Sequence, residues 1–125
     1  MERFEISKKA YRELYYFCQQ YKEKKAQLNY LRGLTAVPMN GMPKGGSIGN
    51  PTERKGMLCL RLASDCELIE QTAIEAGADV YSWLLSNVTE EGKSWENMRP
   101  PIGKNQFYER RRKFFYLLAY KKMLI

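Results

Sequence analysis

Apolar residues recur at helical spacing through long stretches free of glycine and proline, which leaves no run that reads as a strand. The first stretch, Glu2 to Arg32, places Tyr11, Leu14, Phe17, Cys18, Tyr21 and Leu28 on one stripe. As one helix over 1–32 it would be roughly 45 Å long at 1.5 Å per residue. That exceeds the width of so small a domain, so the stripe is expected either to pair with a second copy through residues 10–28 or to serve as core. Lys25 interrupts the stripe where a coiled-coil seam requires an apolar residue, which favours the core.

Gly33 is expected to end this helix. A Gly/Pro/Asn-rich loop over 33–50 follows, without periodicity. Its GMPKGG run lacks the Walker spacing and the Lys-Ser/Thr pair that hold phosphate and magnesium. Asn50-Pro51-Thr52-Glu53 reads as a capped helix start. A scaffold helix over 51–76 then carries Leu58, Leu62, Cys66, Ile69 and Ala73 on one stripe and closes at Gly77. Asp79 to about Asn87 form a third helix, presenting Val80, Trp83, Leu84 and Val88. The expectation is an all-α protein forming one domain over 1–125.

The absence of histidine narrows the chemistry. It removes the Cys/His zinc signatures and the His-dependent nucleophilic arrangements together. Cys18, Cys59 and Cys66 are odd in number and sit in apolar helical pattern, so no disulfide framework is expected. No carboxylate pair lies in apolar sequence where its acidity could be tuned, so no enzyme, metal or cofactor is expected. Asp65, Glu67, Glu70 and Glu75 read as solvated surface. The start MERFEISKK lacks an apolar secretory core, and no run approaches the roughly 20 apolar residues that span a bilayer. These features point to a reducing cytoplasm and away from a membrane partner.

Charge is concentrated at the chain's end. Of a net +7, residues 104–125 carry +6 and residues 1–32 carry +4, while the segments between are acidic. Around that basic block, Ser94 caps a short helix through Met98, Pro100-Pro101 force a turn through Gly103, and a helix follows from 105 to about 122. Short helix, turn, longer basic helix is the order of a helix-turn-helix, here within a unit over 78–125. On a helical wheel Phe107, Phe114, Phe115 and Leu118 fall together and face the core. The opposite side holds Asn105, Gln106, Glu109, Arg112, Lys113 and Tyr116. Asn and Gln suit adenine, Arg suits guanine, and Lys and Tyr suit phosphate. Lys104, Tyr108 and Arg110 complete the candidate DNA-binding set. Arg110 and Arg111 lie nearer the apolar stripe and are expected to snorkel, their heads reaching phosphates or a carboxylate. Tyr108, Tyr116 and Tyr120 are expected at the rim of the core rather than as a stacking platform for single strands.

The order YLRGL, GMPKGG, NPTERK and SWENM…PPIGKNQFYERRRKFFYLLA resembles the ArpU-like and RinA-like transcriptional regulators of Gram-positive phages and prophages, over roughly residues 28 to 120. The GMP-x-GG loop and the FYxRRRxFFxLL helix are the most specific parts. The resemblance implies an all-helical protein whose C-terminal unit is like sigma-factor region 4 and which acts on late-gene transcription. On that pattern Lys104 to Lys113 contact the promoter. The turn RPPIGKN departs from the pattern, with two prolines where a sigma-like unit has a longer first helix. The leading expectation is therefore a regulator that binds double-stranded DNA. Two other readings remain: a packaging protein of the terminase small-subunit type, and a module that docks on host RNA polymerase.

Overall fold

A computed structural model of the chain describes residues 4–36 and 51–125. Residues 37–50 of the loop expected over 33–50, with GMPKGG and the Asn50 cap, lie outside the described residues. The described residues contain six α-helices and no strand: α1 (Lys8–Gln19), α2 (Tyr21–Ala36), α3 (Pro51–Gly77), α4 (Tyr81–Thr89), α5 (Trp95–Met98) and α6 (Lys104–Lys121). A 3-10 turn, Ala78–Val80, joins α3 to α4.

The single helix expected over 1–32 is two. Ser7 caps α1, its hydroxyl accepting from the Ala10 N–H at 3.1 Å. The chain breaks at Gln20, whose N–H donates to the Phe17 carbonyl at 3.2 Å in a tightened last turn. No glycine or proline marks this break; packing does. α1 lies against α4 and α6, whereas α2 runs along α3, and one straight helix cannot follow both surfaces. The predicted stripe is consumed inside the chain, with Leu14, Cys18, Tyr21 and Leu28 all buried. Those side chains are core, so a homodimer seam over 10–28 cannot be built from them. The helix also passes through Gly33 to Ala36 instead of ending there. Gly33 has open space around it, and its cost of roughly 1 kcal/mol is outweighed by the packing of α2 along α3.

α6 is the central element. Phe107, Phe114, Phe115, Leu118 and Ala119 are buried from it. They pack with Ile69, Ala73 and Ala76 of α3, with Val80, Leu84 and Val88 around α4, and with Leu14 and Cys18 of α1. Buried hydroxyls are satisfied locally: Thr72 and Thr89 each donate to the carbonyl four residues back, at 2.6 Å. Between α2 and α3, Glu70 accepts from Tyr21 and from Lys25. Burial pushes the Glu70 carboxyl up, but these two hydrogen bonds outweigh it and hold the group below the ordinary carboxylate range.

Burial also pushes the Cys18 thiol up to about 12, which removes its thiolate at neutral pH. Cys18 and Cys66 are buried, and Cys59 is half-buried on α3. Iodoacetamide added to the native protein should therefore label Cys59 alone, with Cys18 and Cys66 labelled only in denaturant. Mass spectrometry of the digest reads this directly, and early labelling of Cys18 would contradict the packing of α1 on α6.

Candidate nucleic-acid interface

The turn before α6 is held by hydrogen bonds within the chain. Arg99 ends α5 in the left-handed region, at φ 51°, and its N–H donates to the Trp95 carbonyl at 2.7 Å. The Trp95 indole N–H donates to the Ile102 carbonyl at 2.9 Å, which ties the single turn of α5 to the Pro-Pro segment. The order short helix, turn, long helix is present as expected. Its first helix, however, has only four residues, and α6 takes its support from α3, α1 and α4 instead.

Most residues of the expected reading face are engaged within the chain. Lys104 pairs with Glu96, which raises the ammonium and holds the Glu96 carboxyl low through their hydrogen bond. The Gln106 side-chain carbonyl accepts from the Gly103 N–H at 3.3 Å and caps the helix. The Tyr108 hydroxyl accepts from the Trp95 N–H at 3.3 Å. Arg110 reaches a carboxylate, Asp79 at 2.8 Å, as the snorkelling expectation allowed, and its hydrogen bond holds that carboxyl low. Its stem covers Gly77, where a Cβ would stand 2.6 Å from the Arg110 Cγ, so glycine is required by close approach. Arg112 pairs with Glu109 one turn back, both exposed. Tyr116 meets the Phe4 ring edge-on at 5.5 Å, so the segment ahead of α1 crosses this end of the face. Asn105 is open to solvent, and Lys113 is half-buried beside the C-terminal end of α3.

The exposed pairs are weak and exchange readily for phosphate, because surface ion pairs of this kind contribute 0–1 kcal/mol. They nonetheless lower the local field: Glu96, Asp79, Glu109 and Glu75 each take one cation of the basic block. Lys122 is directed elsewhere, over the Phe17 ring at 4.0 Å.

Folding adds a surface that α6 alone does not have. A cleft of about 500 Å³ opens between the start of α1 and the middle of α6. Lys8 lines it from α1, and Arg111 and Arg112 line it from α6, with Tyr11 and Phe115 beneath and Glu5 as the acid on the rim. A second cleft, of about 400 Å³, continues past Arg111 to Tyr15, Tyr108 and Lys93, with Glu90 and Glu91 on its wall. Arg12 is exposed one turn after Lys8 on the same flank of α1. Cations and tyrosines from both ends of the chain thus share one face. The sequence reading left Lys8, Tyr11, Arg12, Tyr15 and Lys93 out of the site and placed Arg111 beside the apolar stripe with its head reaching a phosphate or a carboxylate; the +4 of residues 1–32 was the signal available for the α1 residues.

Among the described residues no group of acidic, Cys or His side chains could hold a metal ion, and no helix is long and apolar enough to cross a membrane. Comparisons with family models, with curated proteins and with solved structures returned no match, so the face is read from its own chemistry.

Proposed function

We propose that this chain is a non-enzymatic regulator that binds duplex DNA, using α6 together with the start of α1. One observation carries the reading: Lys8 of α1 meets Arg111 and Arg112 of α6 on a single face interleaved with tyrosines, with Arg12 exposed one turn further along α1. Cations drawn from two helices present a broader basic face to the phosphate backbone than a stripe on one helix. Asn105 at the exposed start of α6 remains free to meet a base edge, while Gln106 serves as the cap. The resemblance to phage regulators adds the expectation of late-gene control in a bacterial cytoplasm.

The test is a salt titration of binding to random duplex and to candidate promoter fragments. Four phosphate contacts give a slope of about −3.6 in log affinity against log salt. A slope of that size with preference for one fragment supports a sequence-specific regulator. Absence of binding at low salt would transfer the assignment to a protein partner such as RNA polymerase. That second reading draws on Tyr16 and Tyr30, each about two-thirds exposed on α1 and α2. A packaging protein differs in mass, since it works as a ring.

A further inference from the structure

Arg111 is held unlike the other arginines of α6. Arg110 and Arg112 pair with carboxylates, as do Lys104 and Lys121. The half-buried Arg111 guanidinium has only neutral partners: its Nε donates to the Asn87 side-chain carbonyl at 2.7 Å and its Nη2 to the Tyr11 hydroxyl at 2.9 Å. Its plane lies against Phe115 at 4.9 Å and Tyr11 at 5.6 Å. No carboxylate stands within ion-pair distance of it among the described residues. Removing a cation partly from water without a counter-charge is costly, and the cost is recovered when an anion arrives from outside.

The neutral cage does more than tolerate the charge. It fixes the fork at two of its five N–H donors and leaves three, including both on Nη1, for a ligand. Arg111 lines both clefts, but they differ in charge. The one beyond Lys93 carries Glu90 and Glu91, whereas the one toward α1 sets Lys8, Arg111 and Arg112 against Glu5 alone.

We propose that the cleft between α1 and α6 is a seat for one phosphate group, gripped by the Arg111 fork with Lys8 as the second cation. Where the phosphate belongs to a DNA backbone the proposal deepens the DNA-binding reading and rests on it; a free phosphate or phosphomonoester offers the same chemistry. Tyr11, Asn87 and Phe115 are positioning residues that aim the fork. Arg111 joins the groups that anchor the protein on the duplex, which assigns it sequence-independent affinity rather than base choice.

The experiment follows the arginine side-chain Nε–H signals of the full chain during titration with inorganic phosphate, then with duplex DNA. Three variants accompany the wild type. Arg111→Lys keeps the charge and loses the fork; Lys8→Ala changes an exposed residue that the fold does not need; Lys9→Ala, exposed on the outward side of α1, is the control. Phosphate should shift the Arg111 signal. Its affinity should fall about tenfold in Arg111→Lys and in Lys8→Ala, and stay unchanged in Lys9→Ala. If the seat takes DNA, Lys8→Ala should also make the duplex salt slope shallower by about 0.9, whereas Arg111→Lys, which keeps its charge, should weaken duplex binding about tenfold with the slope held. Phosphate binding that depends on Arg111, with no duplex binding at all, would keep the seat, name free phosphate as its source and remove the DNA reading. An Arg111 signal unmoved by phosphate, or equal affinity in Lys8→Ala and wild type, would overturn the seat. Should Arg111→Lys melt early, Lys8→Ala decides.

Discussion

Phe114→Ala is expected to remove about 3–5 kcal/mol of folding stability, a large share of the roughly 5–15 kcal/mol that keeps a native domain folded. Phe114 is fully buried in the middle of α6, and its ring stands edge-on to Phe115 at 5.1 Å. α3, α4 and α1 all close on this helix, so no single neighbour can move in to fill the space. The loss combines the transfer term for the ring with the cavity left behind. Urea denaturation followed by far-ultraviolet circular dichroism measures it, with the midpoint falling and the slope held. Tyr120→Ala on the same helix is the control: Tyr120 is 67% exposed, and its loss should change stability by no more than about 0.5 kcal/mol. A midpoint for Phe114→Ala within error of the wild type would mean that α6 is not the centre of the core.

The second large effect is on binding. Arg112→Ala with Lys113→Ala should weaken duplex affinity by about 30- to 150-fold at physiological salt where both meet phosphate, from two charged contacts of about 1–1.5 kcal/mol each. The salt slope should become shallower by about 0.9 for each of the two that meets a phosphate. Stability should stay nearly constant, because the Arg112–Glu109 pair is exposed at both ends. Unchanged affinity and slope in a well-folded double variant would sink the assignment of α6 to DNA. The two residues also separate the parts of the face. Arg112 borders the cleft with Lys8, whereas Lys113 borders the end of α3 beside Phe4 and Glu75. The single variants therefore tell which side of α6 meets the duplex: a loss confined to Arg112→Ala favours the α1 side.

Helix type and helix faces were legible in the residues because both are local. The periodicity of Phe107, Phe114, Phe115 and Leu118 placed the core side of α6 correctly, and Ser94 and Pro100-Pro101 bounded α5 and the turn. The buried stripe of α3 matches at Leu62, Cys66, Ile69 and Ala73, whereas Leu58, further out toward the start of the helix, is 37% exposed. Gln20 and Gly33 went the other way. A break without a breaker, and a glycine inside a helix, are decided by which surfaces the two halves find, and neither surface is adjacent in sequence.

The candidate site divides along the same line. A basic block on a helix is visible from composition, but its free charge is not, because Glu96, Asp79 and Glu75 pair with Lys104, Arg110 and Lys121 from 8, 31 and 46 positions earlier in the chain. Arg111 shows the limit most clearly. On the wheel it looked like a snorkelling residue at the margin of the apolar stripe. Its partners Tyr11 and Asn87 lie 100 and 24 positions away, and only the folded chain brings them to one guanidinium. The sequence by itself determined helices, their apolar faces, and the absence of the residues that histidine-dependent and zinc chemistry require, since each follows from residue type and spacing within a few turns. Tertiary structure alone decided where α1 and α2 part, which cations keep a carboxylate, and that the first helix shares a face with the last, since each depends on contacts between residues far apart in the chain.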